Sequence, residues 1–354
     1  GLMCWISAKQ SCYWTCRAVW MQTRTEGYFI LNNFNINKLK LVDYRCFDAL
    51  DIDFHTQLTV IVSENGVGKT SILDAIAFDF GSFVSDFDEA PDSHVKASDI
   101  STTDKYVVLP LHVYYGTDRL WKQKNNILHT QITVNNSVSK AVNICLEHTG
   151  WCDIEYSFTH NTLVAHHKKF GRKPVEMLSD GIRSMIGMVA DIAFRATKLN
   201  GHLGDDAIAQ TPGIVLIDDV EMHLHPKWQH VVLQNLICAF PSMQFIVTTH
   251  SPQVLSTVSR DNIRILQATE TGVEVSKPDF SPLAHESGDA LAKVMGTQRE
   301  PELPIHGCIR RYEQMVRKGQ ESSLDAQQLR NSLEKSGYQF HDSDLTTWRF
   351  LSTH

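Results

Sequence analysis

The 354-residue chain is expected to fold as an α/β protein around a mixed, largely parallel sheet, and three stretches of sequence carry that expectation. Leu58–Val62 (LTVIV) is apolar without alternation, as in a strand covered on both faces, and it leads through a glycine-bearing loop into a helix. Gly213–Ile217 (GIVLI) and Phe245–Thr249 (FIVTT) read as two more buried strands. The helix between them, from near Pro226 to Phe240–Pro241, makes a strand–helix–strand unit, which favours parallel pairing.

The remaining elements follow in order. Ile36–Val42 (INKLKLV) and Leu50–Phe54 (LDIDF) alternate as two strands about a turn. Residues 80–110 are polar, rich in Asp and Ser, and read as a loop or small insertion. Leu109–Tyr115 (LPLHVYY) is a further strand, and from there to about 175 the pattern gives short strands or hairpins and little else. Asp180–Thr197 reads as a helix with Met185, Ile186, Val189, Ile192 and Ala193 on one face. Ile263–Leu266 and Val273–Val275 close the sheet as a hairpin turning at Thr271–Gly272. Beyond Ala284 helices are expected near 285–296, 304–318, 323–336 and 343–351.

Residues 1–28 show neither helical nor strand periodicity and are set aside as an N-terminal extension or appended remnant. Residues 29–283 form the expected head, with an insertion at about 80–175, and 284–354 a helical tail. No internal repeat appears, and no heptad run is long enough for a coiled-coil arm.

A net charge of −7, with 42% hydrophobic and 21% charged residues, describes an ordinary globular protein. It excludes a chain that is basic throughout and leaves nucleic-acid contact through a local groove open. No apolar run reaches the ~18 residues of a membrane span, so no membrane segment and a cytoplasmic place are expected. The eight cysteines lack CxxC pairs and read as free thiols rather than a disulfide scaffold. A Cys12–Cys16 metal clip lacks a further ligand pair.

Chemistry concentrates in four places. Ser63-Glu64-Asn65-Gly66-Val67-Gly68-Lys69-Thr70, followed by Ser71, matches GxxxxGK[ST] with Ser63 in place of the first glycine. Such a loop turns backbone N–H groups toward phosphate at the positive end of a helix, Gly66 and Gly68 permitting the bend. Lys69 suits the β- and γ-phosphates and the Thr70 hydroxyl suits Mg²⁺. Asp218 and Asp219 end an apolar strand: Asp218 can hold Mg²⁺ and Asp219 can orient a water, although two strand-end aspartates can equally cap the next turn. His250, after Phe245–Thr249, can sense a γ-phosphate or be an ordinary loop histidine. His223, His225 and His230 form a weaker, metal-binding alternative. Ser179, before Asp180-Gly181, is either a helix N-cap or part of a second anion cradle.

The motifs SENGVGKT, LSDGIR, LIDD and TTHS, in that order, resemble those of ABC-type P-loop ATPase heads, in particular SMC- and RecF-like proteins. That resemblance implies ATP and Mg²⁺ as ligands. It also implies a homodimer or higher homo-oligomer in which Ser179 and Gly181 of one copy meet the triphosphate of the other. It implies an antiparallel β subdomain beside the core sheet and, for Arg45, contact with nucleotide phosphate. YRCF (44–47), YYGTDRLW (114–121), DDVEMHLHPKWQ (218–229) and QFIVTTHSPQVLS (244–256) resemble the compact bacterial ATPases called PtuA, of the Septu antiphage system. That likeness implies control of an HNH-type nuclease partner.

The chain departs from the pattern at Ser63, at Ile182, where the subgroup commonly has an aromatic residue, and at Asp219, where a glutamate is usual. The shorter carboxylate is drawn back by about 1.5 Å, and ~1 Å of misplacement can cost ~10²-fold in rate. Slow ATP hydrolysis is expected. The alternatives are a nucleotide-sensing scaffold with negligible turnover and the nucleotide-binding subunit of a transporter. A built-in nuclease would need acidic strand motifs that the residues after His250 lack. The charged face at 309–335 is a solvated surface or a partner contact.

Overall fold

The computed structural model describes residues 11–16, 34–88, 108–117, 136–157, 162–270, 272–285, 287–288, 293–295 and 303–350. It divides into two compact units, Gly1–Thr297 and Gln298–His354.

In the larger unit, β1 (Ser11–Cys16), β2 (Ile36–Tyr44) and β3 (Phe47–Asp53) form an antiparallel sheet in that order. β4 (Leu58–Ser63) leads through the glycine loop into α1 (Lys69–Asp88), and β5 (Leu111–Tyr115) follows. Helix α2 (Asn136–Leu146) precedes a second antiparallel sheet of β6 (Trp151–Ser157), β7 (Thr162–His167) and β8 (Gly171–Pro174). Then come α3 (Asp180–Leu199), β9 (Gly213–Ile217), α4 (Val232–Ala239), β10 (Met243–Thr248), β11 (Ile263–Thr269) and β12 (Gly272–Ser276).

The core sheet has the order β12-β11-β4-β10-β9-β5. β11, β4, β10, β9 and β5 pair in parallel, and β12 closes the sheet antiparallel to β11. Every residue of β4, β9 and β10 is buried. Their side chains divide by parity. Val60, Val62, Val215, Ile217, Phe245 and Val247 pack with α2, α3 and α4, whereas Ile61, Ile214, Leu216 and Ile246 pack with α1 and the β2–β3 hairpin. Two covered faces account for strands that read as unbroken apolar runs. Each such side chain contributes roughly 1.5–3 kcal/mol on burial, which fixes the strand ends on which the site is built.

Buried polar groups tie the layers together. The Gln244 side chain accepts from the Ile36 N–H at 2.8 Å and donates to the Ile36 and His55 carbonyls at 2.9 and 2.8 Å, extending a strand's bonding pattern across the sheets. Arg264, 2% exposed, donates to both carboxylate oxygens of Asp53 and to the carbonyls of Asp53, Asp261 and Ile263.

Several sequence expectations are corrected. Ser11–Cys16, set aside as lacking periodicity, forms β1 and pairs antiparallel with β2 from Ser11↔Val42 to Cys16↔Ile36. The backbone edge of β2 recruits it, and that pairing requires no side-chain pattern. Helix α1 continues through residues 80–88, where a loop was expected. The recurrence of Phe80, Phe83, Val84 and Phe87 is the helical signal hidden among the polar residues. Between 116 and 175 the structure adds α2, whose buried Val138, Ala141, Val142 and Cys145 recur at helical spacing. The single helix expected from Pro226 breaks into Pro226–Gln229 and Val232–Ala239. The helix near 285–296 and the turn residue Thr271 lie largely outside the described residues.

The smaller unit contains α5 (Pro304–Arg317), α6 (Leu324–Lys335) and α7 (Asp342–Phe350) around Tyr312, Val316, Ala326, Leu333 and Leu345. On its charged face Arg317 pairs with Glu313, Arg330 with Glu334, and Arg349 with Glu321. Among the described residues, no helix is long and apolar enough to cross a membrane.

The Asp53–Arg264 bond gives a pH-dependent term. Burial opposes ionisation of Asp53, but the Arg264 guanidinium prevails and holds its pKa below the ordinary value. The contribution is therefore full above the unfolded value of about 3.9 and lost as pH falls through the lower folded value. In urea unfolding, Asp53→Asn is expected to be less stable than the parent at neutral pH, and the gap should close on acidification through that range.

Candidate functional site

The candidate residues gather at the carboxyl edge of the parallel strands, the edge where open α/β sheets bind ligands. β4 ends at Ser63, and the loop to Lys69 turns on Gly66 and Gly68, with φ of 83° and 111°. A Cβ at Gly68 would lie 2.5 Å from Phe47 Cζ and 2.6 Å from Cys46 Sγ, so the tip of the β2–β3 hairpin closes against the loop. Arg45, on that tip with φ 51°, donates to Asp74 of α1 at 2.5 Å. The structure thus brings Arg45 beside the loop and the start of α1.

Lys69 is 7% exposed and folds back over the loop. Its Nζ donates at 3.0 Å to the Ser63 carbonyl, the Ser63 hydroxyl and the Glu64 carbonyl. Ser63 therefore supplies a side-chain oxygen to the lysine where the usual glycine has none. Burial lowers the Lys69 pKa, against the opposing pull of Asp219, Asp218 and Glu221. Three carboxylates thus lie within electrostatic reach of the ammonium group.

Asp218 is 2% exposed. Its Oδ2 accepts from the Thr70 hydroxyl at 2.8 Å and its Oδ1 from the Thr248 hydroxyl at 2.6 Å. Thr248 Oγ1 accepts the Asp219 N–H at 2.8 Å. Asp219 adopts φ 47°, a left-handed conformation in which Asp is several-fold enriched and a longer side chain gains no local bond. That backbone suits aspartate at this position. Glu221, overlooked in the sequence, accepts from Thr249 Oγ1 and from the His250 N–H, each at 2.6 Å. The available signals were the D-D-V-E spacing and the paired threonines before His250.

Ser179 joins none of these bonds. It occupies the N-cap position of α3, yet its side chain caps no N–H, and it is exposed. Gly181 is buried, and a Cβ there would lie 2.3 Å from the His223 carbonyl oxygen. The start of α3 therefore packs on the turn that follows Asp219.

The three histidines of the metal alternative do not converge. The His225 ring accepts from the Lys227 N–H, and the His230 ring lies 3.4 Å from the Ser256 hydroxyl. Among the described residues the cluster with metal-ligand spacing is Cys152, Asp153 and His166 in the second antiparallel sheet. The described cysteines Cys46, Cys145, Cys152, Cys238 and Cys308 carry free thiols.

Residues 38–171 match the model of an AAA domain family, and 114–256 match a second AAA domain model whose description also names AbiEii toxin and the Type IV TA system. The "Retron Vc95 probable ATPase" of Vibrio cholerae serotype O1 biovar El Tor is 37% identical over 161 residues, which is 45% of this chain and 31% of that protein. The Septu protein PtuA of Bacillus mycoides (strain KBAB4) is 25% identical over 304 residues, covering 69% of this chain and 42% of PtuA. The chain is thus similar to ATPases of the retron and Septu PtuA type, and AAA domain models match within it. The chain covers less than half the length of each of these relatives. An SMC head domain from Thermotoga maritima covers 70% of the chain and is itself covered completely, at a TM-score of 0.46 and 17% identity.

The geometry at α3 separates the two roles of Ser179. Loss of a capping serine ordinarily costs about 1 kcal/mol. Because the hydroxyl caps nothing here, Ser179→Ala is expected to move the head's unfolding free energy by less than about 0.5 kcal/mol. Gly181→Ala drives a methyl group into backbone and should cost about 1–3 kcal/mol. Denaturant midpoints of the two variants measure both.

Proposed function

We propose that this chain binds ATP with Mg²⁺, hydrolyses it slowly, and pairs head to head with a second copy, so that each nucleotide is held between two chains. One observation carries this reading: a buried lysine and a threonine–aspartate oxygen pair converge beside a glycine loop at the carboxyl edge of parallel strands. Loop amides from Glu64 to Ser71 would receive the phosphates at the start of α1. The carbonyl and hydroxyl oxygens that hold Lys69 are ones that phosphate oxygens can replace, so the lysine would exchange neutral partners for anionic ones. Arg45 would add a second cation from the hairpin tip.

Thr70 and Asp218 offer the hard oxygen ligands that Mg²⁺ takes. When bound, Mg²⁺ neutralises charge on the phosphates. Asp219 would orient the attacking water, His250 would donate to the γ-phosphate, and Ser179 and Gly181 would meet the nucleotide of the twin copy. The exposed Ser179 hydroxyl, not engaged in capping, supports that last role.

The likeness to Septu and retron ATPases supports a place in antiphage defence, and the proposal extends to a dimer that controls a partner effector of the HNH-nuclease type. Any switching requires that ATP bind one assembly state better than another. A sensor with negligible turnover is the second reading, favoured by the short carboxylate of Asp219.

Lys69→Ala should weaken ATP binding by at least about 10-fold, the equivalent of one charge-assisted contact. Light scattering after size exclusion should show ATP-dependent pairing of the parent and none for Ser179→Arg. Pairing that survives Ser179→Arg, or binding that is indifferent to Lys69→Ala, would sink the proposal. Asp219→Glu should speed phosphate release by on the order of 10-fold. No release from either protein would instead favour the sensor.

A further inference from the structure

The turn after Asp219 holds a carboxylate that the chemistry above does not use. Glu221 is half-buried and engages the loop after β10 with both oxygens. Oε2 accepts from the Thr249 hydroxyl and Oε1 from the His250 N–H, each at 2.6 Å. These are charge-assisted bonds, about twice as strong as neutral ones, and together they hold two successive residues from one anchor.

The bonding continues into a closed circuit. Thr249 Oγ1 accepts from the Ser251 N–H at 3.0 Å, and the Ser251 hydroxyl donates to Gln229 Oε1 at 2.7 Å. Gln229 Nε2 donates to the Leu224 carbonyl at 2.9 Å, and the Leu224 N–H returns to the Glu221 carbonyl at 2.9 Å. The segment Thr249–Ser251 is thereby clasped from both sides of the Glu221–Gln229 stretch. His250 lies outside any helix or strand, two residues beyond the end of β10 and two before the short helix Pro252–Leu255. The backbone that carries its ring is the one that Glu221 holds.

We propose that Glu221 is a positioning residue for His250, its carboxylate clamping the His250 amide and the Thr249 hydroxyl so that the imidazole is presented to the nucleotide edge. The inference rests on the ATP-hydrolysing reading above. Glutamine can keep this geometry, since its carbonyl accepts the His250 N–H while its amide donates to Thr249 Oγ1. Alanine cannot. Glu221 acts through His250 and not on the nucleotide, so its removal affects turnover more than ATP affinity.

The test compares Glu221→Ala, Glu221→Gln, Thr249→Val and His250→Ala in the full chain. Glu221→Ala should lower kcat by about 10- to 100-fold with little change in the KM for ATP. Glu221→Gln should recover most of that loss. Glu221→Ala combined with His250→Ala should be no slower than His250→Ala alone, as for two residues acting as one unit. Hydrogen exchange at the His250 amide, measured without nucleotide, should accelerate by about 10- to 100-fold in Glu221→Ala and stay near the parent rate in Glu221→Gln. Thr249→Val removes the hydroxyl half of the clamp, should also accelerate exchange, and serves if Glu221→Ala does not fold. Additive losses in the double variant, a glutamine variant as slow as alanine, or unchanged exchange at His250 would each overturn the clamp. Absence of turnover in the parent would remove the ATPase reading, while the exchange measurement still decides whether the clamp exists.

Discussion

Asp218 holds the site together. Its two oxygens accept from Thr70, at the start of α1, and from Thr248, at the end of β10, while its own backbone directly follows β9. One buried carboxylate therefore fixes the phosphate-type loop, the acidic strand end and the strand that leads to His250. A carboxylate 2% exposed is tolerable only when hydrogen-bonded, and loss of either threonine would leave a buried charge short of a partner. The loop and the strand ends thus depend on each other for stability.

The turn after Asp219 extends this dependence beyond a single nucleotide site. Asp219 enters it in a left-handed conformation, Glu221 reaches back to the loop after β10, and the His223 carbonyl packs against Gly181 at the start of α3. The residues proposed to act on the chain's own nucleotide and the serine proposed to act on its twin's are therefore linked through the five residues Asp219–His223 and the packing of His223 on Gly181.

Much of the architecture was legible because the core strands are covered on both faces. Unbroken apolar runs such as LTVIV, GIVLI and FIVTT are too short for helices, and the glycine and acidic punctuation that follows them marks them as buried strands. The elements missed had weaker signals. The C-terminal part of α1 was masked by interspersed Asp and Ser, although Phe80, Phe83 and Phe87 keep helical spacing. Strand β1 carries no pattern because the free edge of β2 orders its backbone. Glu221 was overlooked because a carboxylate that bonds backbone and hydroxyl groups 28 and 29 residues away leaves no local periodicity.

The sequence by itself determined the order of strand, glycine loop, helix, acidic strand end and histidine loop, since each rests on local backbone demands and side-chain alternation. The tertiary structure alone decided what those residues do with their polar atoms. It turned Lys69 back onto Ser63 and Glu64, left the Ser179 hydroxyl uncapping, and gave Glu221 the loop of His250. Hydrogen bonds between residues distant in sequence depend on sheet register and turn conformation, and those are fixed only when the faces of the sheet pack.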